Sequence, residues 1–269
     1  MAEISAAQVK GLRDATGLGM MECKKALVES GGDVEQAREL LRIRSQSKAE
    51  KVAGRSTGEG RVGIAVDGSE GVIAEASCET DFVAKDGNFV AFVDRVCDAA
   101  LKAEKGAAPE SLEGIEQARQ ELVLKLGENV SVGRVTRLSS SGNGSLASYV
   151  HQGSKIGVLA DVDPGSGGEE LARNLCMHIA AMRPEYLKAD DVPAAVKEGE
   201  EKIFRAQLEE SGKPPEVVEK IVGGKIKKFL EESCLLSQAY IREDGKSVGK
   251  MLEEAGASVS GFVRMEIGR

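Results

Sequence analysis

The sequence predicts an α+β protein in which a small helical bundle precedes a core of two related halves. Three observations carry that prediction. Apolar residues recur at helical spacing in the N-terminal segment, short β-prone runs joined by turn residues follow, and a strand pattern and then a helix pattern recur downstream in the same order. With 269 residues and 41% hydrophobic content, the chain is long enough for two or three folding units with cores of their own.

The N-terminal segment reads as three short helices. Ser5 is placed to cap a helix carrying Val9 and Leu12, Gly17-Leu18-Gly19 breaks it, and residues 20–30 supply a second that Gly31-Gly32 stops. Asp33 is placed to cap a third, because Val34, Ala37, Leu40 and Leu41 fall on one helical face. Over residues 42–55 the apolar stripe fades and the composition turns polar and basic. An exposed helical extension or linker is expected there, so the first domain is 1–54.

Beyond Gly60 the period changes from helical to alternating. Residues 61–67 and 71–77 are β-prone runs separated by Asp67-Gly68-Ser69-Glu70, the composition of a hairpin turn. A helix should then cover the sheet, since Phe89, Phe92, Val93, Val96, Cys97 and Ala100 recur at helical spacing. The same plan returns downstream. Residues 146–150 form one strand pattern, Gly157-Val158-Leu159-Ala160-Asp161 echoes Gly71-Val72-Ile73-Ala74-Glu75, and a helix carrying Leu171, Leu175, Ile179 and Met182 follows. A two-fold internal repeat accounts for this most simply, with one half at 55–140 and the other at 141–269.

Two further elements complete the second half. Residues 195–232 hold two charged, weakly apolar helical stretches joined by Ser211-Gly212-Lys213-Pro214-Pro215, which predicts a protruding antiparallel helical hairpin. Residues 259–267 alternate apolar and polar side chains and should return as a strand.

Charge and composition narrow the function classes. A net charge of −8, with 36 basic against 44 acidic side chains, sets the whole-molecule field against phosphate backbones. Aromatics make up 3%, there is no Trp, and no basic run is interleaved with Phe or Tyr for base stacking, so direct nucleic-acid binding is not expected. Five scattered cysteines without a C-x-x-C pair suit a reducing, cytoplasmic setting. The opening Met1-Ala2-Glu3-Ile4-Ser5 lacks the pattern of a secretory signal, and no apolar run approaches the ~20 residues of a membrane helix, so no membrane partner is expected.

The candidate chemistry is sparse. Gly245-Lys246-Ser247 lacks the earlier glycine of a phosphate loop, position 240 being Tyr, and reads better as a turn with Ser247 capping a helix. Gly165-Ser166-Gly167-Gly168 precedes a helix but is followed by Glu169-Glu170, which would repel an anion. His178 lies on an apolar helix face and reads as a structural group, while His151 sits in a turn. Neither has cysteines or carboxylates at metal-ligand spacing, so no metal, no cofactor and no covalent catalysis are expected.

The two halves of the repeat differ most between strand and helix. The first carries Cys78-Glu79-Thr80-Asp81-Phe82-Val83-Ala84-Lys85-Asp86-Gly87 where the second has only a Gly-rich turn, and such connections are where binding residues concentrate. Phe82 has two readings. Seven residues before Phe89 it extends that helix's apolar face into the core, whereas the polar residues around it favour the surface.

Two stretches, Glu79-Thr80-Asp81-Phe82-Val83-Ala84-Lys85 and Thr16-Gly17-Leu18-Gly19-Met20-Met21-Glu22-Cys23-Lys24-Lys25-Ala26-Leu27, resemble the signatures of the bacterial elongation factor Ts family. Lys125-Leu126-Gly127-Glu128-Asn129, Met177-His178-Ile179-Ala180-Ala181 and Gly212-Lys213-Pro214 are similar to further family segments in the same order. The resemblance implies a ubiquitin-associated-like (UBA-like) N-terminal domain, two related α+β subdomains with antiparallel sheets, a helical hairpin, and a partner, elongation factor Tu, whose GDP is released. It implies that Asp81 and Phe82 approach the partner's GTPase domain and disturb its Mg²⁺ site, supported by Thr80, Val83, Ala84 and Lys85. It further implies that Leu126 and Gly127 rest on another face of that domain, that His151 reaches toward the phosphate-binding loop, and that Leu12, Met20 and Met21 dock the bundle. The chain ends at Gly268-Arg269, short of a C-terminal helix that some family members use as a contact. A binding scaffold in translation without effect on nucleotide is the alternative from another class.

Overall fold

Three helices open the chain in the computed structural model, which describes residues 4–142, 144–209 and 214–268. They are α1 (Ala6–Thr16), α2 (Met20–Glu29) and α3 (Val34–Val52). The Ser5 hydroxyl accepts the Gln8 N–H at 3.2 Å while the Gln8 side chain accepts the Ser5 N–H at 3.0 Å, a reciprocal cap. Asp33 accepts the Gln36 N–H at 2.9 Å and so starts α3 as its spacing predicts. Leu12, Cys23, Ala26, Leu27, Ala37 and Leu41 close the bundle's core.

The later part of α3 departs from the expected exposed extension. Ser45, Ala49 and Val52 continue the buried stripe from Leu41, and the Ser45 hydroxyl is satisfied by donating to Leu41 O at 2.9 Å. Ala49 and Val52 belong to the core of the sheet that follows. Ser and Ala carry little apolar area, so a hydropathy reading sees no stripe, yet their small size lets neighbouring backbones approach closely. Gly54 therefore follows the end of a helix without marking an end of packing.

Next come β1 (Glu59–Asp67), β2 (Glu70–Cys78), α4 (Asp81–Ala84), α5 (Gly87–Lys102), α6 (Ile115–Leu126) and β3 (Val130–Ser139). β1 and β2 pair antiparallel with Asp67 opposite Glu70, and Gly68 at φ 56° supplies the left-handed residue that this two-residue turn needs. β3 adds to β2, giving the order β1-β2-β3. The six residues read as the apolar face of α5 are all buried. Gly63 lets α5 lie close on the sheet, since a Cβ there would meet Val93 Cγ1 at 2.5 Å. α3 packs along α6.

The second half contains β4 (Ser145–Val150), β5 (Ile156–Asp163), α7 (Gly168–Met182), α8 (Ala194–Glu209), α9 (Pro215–Ser233), α10 (Val248–Glu254) and β6 (Ser258–Glu266). Its strands form a second antiparallel sheet in the order β4-β5-β6. The two halves match in chemistry as well as pattern. Val72-Ile73-Ala74 and Val158-Leu159-Ala160 are buried at the centres of their sheets, and each run is followed by a buried acid. Arg134 Nη2 meets Glu75 Oε1 at 2.6 Å, while Asp161 accepts from Ser141 Oγ at 2.7 Å and from the Ser141 N–H at 3.0 Å. Met182, expected on the buried face of α7, is exposed, because the helix ends there and Arg183 turns left-handed at φ 53°.

Packing groups the chain into two units. One runs to Arg137 and includes Val150–Gly157 and the residues from Met265, and the other comprises Leu138–Tyr149 and Val158–Arg264. Within the second, α8 and α9 lie side by side. Arg205 Nη2 donates to Glu219 Oε2 at 2.9 Å, and Lys225 Nζ donates to Gln207 Oε1 at 2.7 Å while lying 5.0 Å from the centre of the Phe204 ring. α9 starts at Pro215, with Pro214 as its N-cap residue. Ser211-Gly212-Lys213 of the expected turn lies outside the described residues. Gly245-Lys246-Ser247 is punctuation, for Ser247 caps α10 and Lys246 is held by Glu243 and Glu254 at 2.5 and 2.6 Å.

Candidate partner-binding site

The turn after β2 is built around Thr80, whose polar atoms are all engaged. Its hydroxyl accepts the Val83 N–H at 3.4 Å, capping α4, and donates to Glu128 Oε1 at 2.7 Å. Its N–H donates to Glu128 Oε2 at 3.0 Å, and its carbonyl accepts from Cys78 Sγ at 3.2 Å and from the Ala84 N–H at 3.1 Å. Burial, with the nearby Glu128 charge second, pushes the Cys78 thiol up to about 12, so this sulfur stays protonated as a donor.

With its start fixed, α4 divides its side chains sharply. Val83 and Ala84 turn into the core, and Phe82 stands 82% exposed, more than any other large apolar side chain among the described residues. Phe89 is fully buried. The seven-residue spacing from Phe82 does not put both on one face, because α4 ends at Lys85 and a new helix begins from Asp86 in extended geometry. Of the two readings of Phe82, the surface one holds.

Asp81 and Lys85 flank the ring from the same helix, with Lys85 Nζ donating to Asp81 Oδ2 at 2.6 Å. That hydrogen bond is the main reason the Asp81 carboxyl is held below the usual range, with Lys155 adding a smaller attraction. Lys155 comes from the loop that carries His151, which is pinned to this side of the first unit. Val62 N–H donates to Ser154 O at 2.7 Å, His151 N–H to Ile156 O at 2.9 Å, and Lys155 pairs with Glu59 at 2.6 Å. His151 is exposed there.

Leu126 and Gly127 stand one turn away from the same mount. Leu126 is half-buried against the core, Gly127 ends α6 with its N–H on Val123 O at 2.8 Å, and Glu128 next to it is the acid that holds Thr80. The structure thus brings residues 80–85, the 126–128 turn and the 151–155 loop into one region. Met20 and Met21 lie on the bundle, at the start of α2, and are 49% and 62% exposed. Leu12 must be corrected as a docking residue. At 1% exposure it fills the bundle's core and presents no surface of its own.

Glu79, Glu128 and Asn129, which hold this turn through hydrogen bonds, lie inside two of the family-like stretches, but their spacing there signals no such contact. Lys155 and Glu59 carry no sequence signal, since only the fold places them beside Asp81. Among the described residues no group of three or more His, Cys, Asp or Glu is arranged to hold a metal ion, and no helix is long and apolar enough to cross a membrane. All five cysteines are free and buried.

Residues 79–269, from the end of β2 through the last strand, match the family model described as Elongation factor TS. The chain is 45% identical over 273 residues to the elongation factor Ts of Thioalkalivibrio sulfidiphilus, an alignment covering 98% of this chain and 92% of that protein. It is 47% identical over 277 residues to that of Alkalilimnicola ehrlichii, with the same coverage. To that of Saccharophagus degradans it is 48% identical over 269 residues, covering 98% of this chain and 91% of the relative. A match of this length and identity, spanning the turn that displays Phe82, establishes that the chain belongs to the elongation factor Ts family.

Proposed function

We propose that the protein is a guanine-nucleotide exchange factor in translation elongation, acting on elongation factor Tu without covalent chemistry. The observation that carries this reading is the Phe82 ring, held outward on a turn whose other polar and apolar groups are all engaged. Exposure of a large ring on a mount with no freedom to fold it away favours use against a partner over accident.

The physics of the task fits a wedge. A GTPase holding GDP at nanomolar affinity has about 12 kcal/mol invested in the complex, and each tenfold loosening requires about 1.4 kcal/mol of differential binding. Burying one Phe side chain supplies about 1.5–3 kcal/mol, so insertion of Phe82 accounts for roughly one to two powers of ten. Such a ring cannot enter a packed protein without displacing its neighbours. If those neighbours orient the ligands of the partner's Mg²⁺, the largest local charge interaction with the phosphates weakens.

Asp81 and Lys85 then serve as a polar collar around the ring, with Val83 and Ala84 as its footing and Thr80 as its cap. The Leu126-Gly127 turn and the His151 loop extend the contact on either side, and Met20 and Met21 dock the bundle. By linkage, a factor that weakens GDP binding is weakened by GDP to the same degree, so exchange passes through a transient ternary complex.

The test is release of a fluorescent GDP from elongation factor Tu, timed by stopped flow with and without the protein. Release is expected to accelerate with protein concentration toward a plateau. A binding signal without acceleration would instead support a scaffold role.

A further inference from the structure

Two acids, Glu79 and Glu128, form a reciprocal clasp behind the exposed ring. Glu128 accepts the Thr80 N–H at 3.0 Å, and Glu79, the residue before Thr80, accepts the N–H of Asn129, the residue after Glu128, at 2.6 Å. The Asn129 side chain, 5% exposed, donates to Ala53 O at 3.2 Å and Arg55 O at 2.9 Å, tying the clasp to the chain just after α3. Glu128 takes the Thr80 hydroxyl as well, at 2.7 Å. Hydrogen bonds to an ionised acceptor are the stronger kind, and two from one residue fix both position and direction.

We propose that Glu128 is a positioning residue for exchange, holding Thr80, and through it the short helix α4, in the orientation that points Phe82 outward. The proposal rests on the reading of Phe82 as the wedge. For this role Glu128 needs no contact with the partner, because both of its carboxylate oxygens accept from Thr80. It acts through the mount. Without it the Thr80 hydroxyl loses its acceptor, the cap on Val83 is freed to rotate, and α4 is left as a single turn, which has little stability of its own.

The experiment combines Glu128→Ala with Phe82→Ala in a double-mutant cycle, read as the plateau rate of GDP release from elongation factor Tu and as the protein concentration at half-plateau. Glu128→Ala is expected to lower the plateau rate by about tenfold, the effect of removing charged hydrogen bonds from a positioned group. The half-plateau concentration should move less. In the Phe82→Ala background the same substitution should cost less than about twofold, since a mount without its ring has nothing to aim.

An equal loss in both backgrounds would show a general structural role and overturn the proposal, as would a plateau rate unchanged by Glu128→Ala. Glu128→Gln keeps one acceptor and the side-chain volume, so should Glu128→Ala fail to fold, Glu128→Gln takes its place with a smaller loss of the same pattern. Wild-type protein without effect on release would instead remove the exchange reading itself, and this proposal with it. The wild-type trace tells that result apart from failure of the clasp alone.

Discussion

Phe82 and Phe89 stand seven residues apart, and replacing each by Ala should have very unequal consequences for stability. Phe89 is 0% exposed and packed in the core of the first sheet. Its removal forfeits the transfer free energy of a ring and leaves a cavity that the surrounding strands and helices only partly fill, a loss of about 3–5 kcal/mol. Phe82 is 82% exposed, so its ring is already in water and Phe82→Ala should change folding free energy by less than about 0.5 kcal/mol. Urea unfolding of the full chain, followed by circular dichroism, reads the difference. With a slope of about 1–3 kcal/mol per molar urea, Phe89→Ala should lower the midpoint of the first unit by roughly 1–5 M, and Phe82→Ala should leave it close to wild type. A loss above about 1.5 kcal/mol for Phe82→Ala would refute the claim that the ring is displayed rather than stored.

Three further outcomes follow from other parts of the molecule. Gln238 donates to Met182 O and Glu232 O, which orients its amide so that His178 Nε2–H donates to Gln238 Oε1 at 2.9 Å while His178 Nδ1 accepts from the Ile241 N–H at 3.3 Å. Burial lowers the His178 pKa against a smaller opposing effect of the Gln238 bond, so the unfolded chain binds the proton first and stability falls as pH drops below about 6.5. The limiting slope is about 1.4 kcal/mol per pH unit, and urea midpoints from pH 7.5 down to 5.5 should show it in wild type and not in His178→Gln. Deleting residues 1–54 should destabilise the remaining chain by about 2 kcal/mol or more, because Ala49 and Val52 leave the sheet's core, whereas a deletion ending before residue 42 should leave the remainder's thermal midpoint nearer to wild type. The thiols of Cys78, Cys97 and Cys176 are pushed up to about 12, mainly by burial, so a thiol reagent at neutral pH should label none of them in the native protein and all five cysteines after denaturation.

The helices with one strong apolar face were legible in the sequence down to their caps. Ser5, Asp33 and Ser247 cap as their spacing predicts, and the stripe from Phe89 to Ala100 is the buried face of α5. The hairpin of β1 and β2 was legible through its turn, and the family resemblance pointed to the 79–85 stretch. Three things were not legible, each for a physical reason. The buried stripe of Ser45 and Ala49 is made of residues too small to register as apolar. β3 begins with a Val130, Val132 alternation that Gly133, Arg134 and Arg137 interrupt, because Arg134 and Arg137 face partners across the sheet rather than solvent alone. The orientation of Phe82 depends on where α4 stops and α5 starts, which is decided by Thr80, Glu128 and Asp86 together, and one of those is more than forty residues away in sequence.

Insertion of Phe82 as a wedge is read out by the rate of GDP release from elongation factor Tu at saturating concentrations of wild-type protein and of Phe82→Ala. Burial of a Phe ring is worth about 1.5–3 kcal/mol, so the variant should be slower by about tenfold or more, with unfolding unchanged. A Phe82→Ala protein that releases GDP as fast as wild type would contradict the account.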